Sequence, residues 1–105
     1  MATTPKLFYR AAGATGNATL TTVPSGKTWI ITNIVVSNIS SSASTYTLFL
    51  DDDASTLVTF LPQSSIPAYS TVVLDVKQVL SAGARIYGSV GSTDVKWHIS
   101  GVEIA

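Results

Sequence analysis

No cysteine occurs anywhere in the chain. Disulfide staples and thiolate metal sites are therefore excluded, while the redox compartment is left undetermined. Ionised side chains are also scarce: 11% of the 105 residues are Asp, Glu, Lys or Arg, against about 25% in an average soluble protein. Six basic and six acidic residues cancel to zero formal net charge. Without a basic block the electrostatic footprint of a nucleic-acid binder is missing, as is the polybasic patch that attracts anionic lipid. No apolar run approaches the roughly 20 residues that a helix needs to cross a bilayer. The expected partners thus include neither nucleic acid nor membrane. The start, Met1-Ala2-Thr3-Thr4-Pro5-Lys6, has neither the charged n-region nor the apolar h-region of a secretory signal. Strong helix formers are few, and no window sustains a 3.6-residue apolar period.

What is present is apolar and hydroxyl-rich. Hydrophobic residues make up 46% of the chain and the mean hydropathy is +0.37, with Ser and Thr supplying most of the other polarity. Neutral hydroxyls solvate the outer face of a strand less well than Lys or Glu, and zero net charge removes the repulsion that keeps copies apart. A surface of this kind is expected to be covered in the working state, which makes the chain part of an assembly.

The length fits one domain over residues 1–105, large enough to bury about two-thirds of its unfolded surface. Strand signal is everywhere. β-branched and aromatic runs predict strands at Lys6–Ala11, Ala18–Thr22, Thr28–Ile39, Thr45–Leu50, Leu57–Leu61, Thr71–Val76, Arg85–Val90 and Val95–Ile104. Gly-, Ser- and Asp-rich turns separate them. Alternation assigns the faces. Val95, Trp97 and Ile99 oppose Lys96, His98 and Ser100, and Val72, Leu74 and Val76 oppose Asp75 and Lys77. Tyr46, Leu48 and Leu50 oppose Thr45, Thr47 and Asp51. The strand from Thr28 carries aliphatics on both faces, so it is central or covered by a neighbouring subunit. Two entries match: Val23-Pro24-Ser25-Gly26-Lys27-Thr28 and Ile66-Pro67-Ala68-Tyr69-Ser70-Thr71 each run aliphatic, Pro, small residue and then Thr before an apolar strand. About eight short strands with paired corners predict an all-β, antiparallel sandwich; a jelly roll is one wiring that fits, and other divisions of the strands between the sheets stay open.

Motifs that carry chemistry are weak. Gly26-Lys27-Thr28 ends like a phosphate-binding loop, but the position five residues before Gly26 is Thr21 and a strand follows. Asp51-Asp52-Asp53 offers hard oxygen ligands without the rest of a cage, and reads as a solvated hairpin tip whose charges discourage edge pairing. No metal or cofactor is expected. His98 is the only histidine; Ser100 and Asp75 are candidate companions, but Ser is too frequent here to be informative and no Gly-x-Ser-x-Gly elbow occurs. No catalytic residue is assigned, and the chain reads as a non-enzyme. Trp29, Trp97, Tyr46, Tyr69, Tyr87 and Phe8 offer faces for a sugar, although at least half fall on core phases. Asn17-Ala18-Thr19 and Asn38-Ile39-Ser40 match the glycosylation sequon and carry no weight without a signal peptide. The first ten residues form an edge strand or an N-terminal arm. Within them Lys6, Leu7, Phe8, Tyr9 and Arg10 are the candidate partner-binding residues, because an exposed strand edge templates pairing with another chain.

Three stretches together resemble a group of small virion proteins of tailed bacteriophages: Leu20 to Asn38, Ile66-Pro67-Ala68 with its following strand and Leu80-Ser81-Ala82-Gly83, and the closing His98-Ile99-Ser100-Gly101-Val102-Glu103-Ile104. The resemblance implies a structural β-sandwich protein. It implies a capsid decoration (cement) protein over junctions of the major capsid protein, on the capsid surface of the virion and in the host cytoplasm during assembly. It further implies a symmetric homo-oligomer, with a trimer favoured. The alternative it leaves is a tail or fibre component that touches a host surface glycan. The N-terminal segment matches this pattern least.

Overall fold

The computed structural model describes residues 3–51 and 57–105. Nine strands run through them: β1 (Thr3–Ala12), β2 (Ala18–Thr22), β3 (Thr28–Asn38), β4 (Ser44–Asp51), β5 (Leu57–Ile66), β6 (Thr71–Leu74), β7 (Gln78–Leu80), β8 (Arg85–Val90) and β9 (Val95–Ile104). The first sheet is ordered β1-β9-β3-β6, with β7 also on β3, and the second is ordered β2-β8-β4-β5. All ladders are antiparallel. The first strand pairs with the last, the second with the eighth, the third with β6 and β7, and the fourth with the fifth. One long hairpin is thus rolled into two facing sheets, which is the wiring of a jelly roll.

The expected strand Thr71–Val76 ends early, at Leu74, and the pairing resumes in β7. The cause lies in β3. Thr32 is an extra residue there, between Ile31, which faces Gly101, and Asn33, which faces Ser100. A bulge of this kind disrupts the ladder, so the partner on the other side of β3 leaves and returns. β6 covers Ile34 to Ser37 and β7 covers Trp29 to Ile31. The same bulge explains the two-sided look of this strand. Trp29 and Ile31 are buried on one phase, while Ile34, Val36 and Asn38 are buried on the other. The strand is central, between β9 and the β6–β7 edge.

The core lies between the sheets. Trp97, Ile31, Ile34, Val36, Leu48, Ile66, Ile86 and Ile99 are fully enclosed. Phe8 stacks on Trp29 with centroids 4.2 Å apart, and Tyr46 meets Trp97 edge to face at 5.9 Å. Four of the six aromatics that offered sugar-binding faces are therefore core. The two matching entries are two of the three places where the chain crosses from the second sheet to the first, β2 to β3 and β5 to β6; the third is β8 to β9. In each the aliphatic before the proline, Val23 or Ile66, is buried. The turn at Pro24–Lys27 closes with a Lys27 N–H to Pro24 carbonyl bond of 3.2 Å and needs Gly26 at φ 77°. It is laced to the Ser81–Ala84 turn, where Gly83 has φ 86°, by bonds between Val23 and both Ala84 and Gly83. Lys27 therefore belongs to a turn that opens a strand.

Asn38, half of a sequon, is buried and works as a clasp. Its Nδ2 donates to the carbonyls of Ser42, Ile66 and Pro67 at 2.9, 3.3 and 3.2 Å, and its Oδ1 accepts from the Ser40 N–H at 2.9 Å. It thereby ties the β3–β4 loop to the β5–β6 corner. Substituting Asn38→Ala leaves these groups unpaired in a buried place and is expected to cost about 2–3 kcal/mol. Urea denaturation checks this as a drop in midpoint at unchanged slope.

Candidate functional site

The site predicted from the sequence lies on β1. Lys6, Leu7, Phe8, Tyr9 and Arg10 all fall within this strand, which pairs with β9 at one edge of its own sheet. Their side chains divide. Phe8 is an extra residue between Leu7 and Tyr9 and turns into the core against Trp29. Tyr9 is half-buried and donates its hydroxyl to the Ala12 carbonyl at 2.9 Å. The Lys6 ammonium lies 3.3 Å from the Glu103 carboxylate, which also accepts from the Trp29 indole N–H at 2.9 Å. The Trp29 bond holds the Glu103 carboxyl below the usual carboxylate range, opposed by desolvation and supported by Lys6. Leu7 and Arg10 remain exposed.

Both neighbours of β9 bulge beside Ser100: β1 at Phe8, between the partners of Ser100 and Ile99, and β3 at Thr32, between those of Gly101 and Ser100. The bulges open a shallow cleft of about 360 Å³ lined by Pro5, Lys6, Leu7, Arg10, Thr32, Ser100 and Gly101. β9 contributes Ser100 and Gly101 to its lining. No aromatic lines it. Sequence reasoning found its β1 wall but missed Thr32 and Gly101, because a bulge shows only once the partner strand and its register are known.

Around the cleft the outer face of the first sheet carries apolar rows with polar residues such as Ser100 and Asn33 between them. Pro5, Val102, Ile30 and Val79 are directly paired in one row across β1, β9, β3 and β7. The next apolar row runs from Val35 to Val73, beside His98 and Arg10. The exposed large apolar side chains among the described residues are Leu7, Ile39, Tyr69, Val73 and Val79, at 45, 58, 74, 64 and 69%. Leu7, Val73 and Val79 lie in strands of this sheet, Ile39 directly follows β3, and Tyr69 lies in the turn before β6. Tyr69 is also held at φ 54°, a conformation that non-glycine residues rarely adopt, with its N–H bonded to the Ser40 carbonyl at 3.2 Å.

The second sheet's outer face is different: it carries hydroxyls, an aromatic pair and an ion pair. Thr45, Thr47 and Ser89 carry hydroxyls there, and Phe49 meets Tyr87 edge to face at 6.1 Å. Arg85 lies 5.6 Å above the Tyr87 ring, reaches the Thr19 hydroxyl at 3.4 Å and pairs with Asp51. Asp51 corrects the expectation of a solvated hairpin tip. It sits in β4 directly opposite Arg85, 2% exposed, with its charge committed to the guanidinium. Asp52 and Asp53 lie outside the described residues.

The candidate companions of His98 are not brought together. His98 and Ser100 share the outward phase of β9, but Asp75 lies beyond β3 at the opposite edge of the sheet. No hydrogen bond joins these side chains among the described residues.

The sheet edges, where β-augmentation would occur, are interrupted. β1 has its bulge and Pro5, β2 has an extra residue between Thr19 and Thr21, β5 has Pro62 and two register shifts, and the last edge is broken between β6 and β7. These devices discourage strand addition.

No protein-family model and no curated protein matches the chain. Among solved structures, a chain from the crystal structure of the T13 IBDV viral particle, a study concerned with the evolution of icosahedral viruses, is similar over 97% of the present chain at 8% identity and a TM-score of 0.54. At that identity the likeness is one of fold. The present chain spans 30% of the length of that chain.

Proposed function

We propose that this chain is a structural subunit of a viral shell, and more narrowly a decoration protein that sits over junctions between major capsid protein subunits. One observation carries the reading. A jelly roll with interrupted edges leaves the apolar row of Pro5, Val102, Ile30 and Val79 and the pair of Val35 and Val73 on the outer face of its first sheet. Isolated exposed aliphatics are ordinary, but exposed apolar side chains gathered on one face favour a docking surface. A jelly roll by itself also serves lectins and enzymes, so the fold supports the reading without deciding it. The similarity in fold to a chain of a viral particle and the resemblance to small phage virion proteins both favour a shell.

The mechanism is passive. Burying apolar surface against two shell subunits at once adds free energy that exists only in the assembled shell, and mass action then opposes its disassembly. About 1,600 Å² of interface suffices for stable attachment. With zero formal net charge, affinity comes from apolar anchors and little from steering. Purified particles examined by mass spectrometry and cryo-electron microscopy test this. The expected result is density for the jelly roll over subunit junctions, with attachment that changes little as salt is raised. A chain missing from purified particles, or released by moderate salt, overturns it.

A further inference from the structure

We infer that the cleft beside Ser100 is a seat for one carboxylate, carried on an aspartate or glutamate side chain of the protein on which this chain docks. The partner's identity rests on the shell reading above; its chemistry rests on the cleft. The lining is one-sided. Arg10 and Lys6 are cationic, Thr32 and Ser100 offer hydroxyls, and Pro5 and Leu7 supply apolar walls, with no acid among the lining residues. The two cations are not equivalent. The Lys6 ammonium is held by Glu103, which also accepts from the Trp29 indole. Arg10 is exposed and forms no ion pair among the described residues. His98, directly opposite it, brings no negative charge, and Asp75 lies beyond β3 at the far edge of the sheet. One uncommitted guanidinium balances one negative charge, which suits a carboxylate better than a doubly charged phosphate.

The bulge on β3 adds a donor. Thr32 is the extra residue there, and its hydroxyl reaches the Ser100 carbonyl at 3.5 Å. A hydrogen bond of that length is weak, so the hydroxyl is free to turn to a better acceptor. A carboxylate accepts from a guanidinium in forked pairs and from hydroxyls at its remaining lone pairs. About 360 Å³ of space stands at the small end of ligand clefts and suits a single side chain. The shallowness of the cleft decides what carries the charge. An ion pair left in water contributes little, so a free acid gains little here. A carboxylate on a protein surface differs, because that surface also covers the adjoining row of Pro5, Val102, Ile30 and Val79. Once water is excluded the pair strengthens and is screened less. Attachment therefore stays weakly dependent on salt. It also becomes selective, since a partner without the acid leaves a guanidinium covered and unpaired.

Two experiments separate the seat from the shell function. In the first, the isotope-labelled full chain is titrated with the peptide acetyl-Leu-Glu-Leu-amide, with its Gln counterpart and with acetate, and followed by proton–nitrogen correlation spectra. The Glu peptide is expected to shift the amides of Leu7, Arg10, Thr32, Ser100 and Gly101, with a dissociation constant of about 1–10 mM. The Gln peptide and acetate should each bind about tenfold more weakly or worse, and Arg10→Gln should remove the preference for Glu over Gln. That variant should melt with the wild type, because Arg10 is exposed and unpaired. In the second, wild type and Arg10→Glu are added to purified shells that lack the chain, and the charge reversal is expected to weaken attachment by a factor of about 10–100. Shifts that avoid the cleft, equal affinity for the Glu and Gln peptides, acetate bound as tightly as the Glu peptide, or Arg10→Glu attached as tightly as an attaching wild type overturns the seat. The last of these leaves the shell function standing. A wild type that binds the Glu peptide in the cleft but does not attach to shells counts against the shell function alone.

Discussion

Gly101→Ala is expected to destabilise the protein by about 3 kcal/mol or more, although alanine is the smallest change available. A β-carbon at this position would run into the Ile30 carbonyl oxygen and approach the Phe8 ring at 2.9 Å. Neither neighbour gives way easily. The Ile30 carbonyl is backbone of the central strand, and Phe8 is clamped on Trp29 in the core. The clash therefore spreads into β3 and into the bulge of β1, the two walls of the cleft. At roughly 4–8 °C of melting temperature per kcal/mol in a domain of this size, the shift is unmistakable in a thermal melt. Gly16→Ala is the control, since open space surrounds that position and a change within about 0.5 kcal/mol is expected. If Gly101→Ala melts with the wild type, β9 does not run as close to β3 as described.

The second large effect is expected at Arg85. Asp51 is 2% exposed, whereas the Arg85 side chain keeps 33% of its surface. Removing the cation strands a buried carboxylate, so Arg85→Met is expected to cost about 3–5 kcal/mol. Removing the anion strands only a guanidinium that water still reaches, so Asp51→Asn is expected to cost about 1–2 kcal/mol. Replacing both, as Asp51→Leu with Arg85→Met, should recover much of the loss, because two apolar groups need no partner. A denaturation-based double-mutant cycle measures this directly. Equal costs for the two single variants would show that Asp51 is solvated after all.

These sites also show where sequence reading stops. Alternation placed Val95, Trp97 and Ile99 inward, and all three are buried. The Val23 and Ile66 entries were legible as corners, since a buried aliphatic followed by Pro and a small residue is a local signal. Asp51 was misread because the cation that buries it lies 34 residues away, and three successive aspartates look like a solvated tip. β7 was missed because three residues, Gln78–Leu80, carry too little periodicity. Within the proposed binding segment the sequence showed a mixture of apolar and basic side chains. It did not show that Phe8 and Tyr9 turn inward while Leu7 and Arg10 stay out, because that division depends on one bulged residue.

By itself, the chain determined what local chemistry controls: an all-β sandwich, its turns, the entries at Pro24 and Pro67, and a low content of ionised side chains. Tertiary structure decided which apolar residues stay outside. Ile30, Val35, Val73 and Val79 are no less hydrophobic than Ile31, Val36, Val72 and Leu80. Each was sent outward or inward by the pleat together with the bulge at Thr32, and a change of phase by one residue exchanges the two faces of a strand. Burial belongs to the register between strands distant in sequence, and that register exists only in the folded chain.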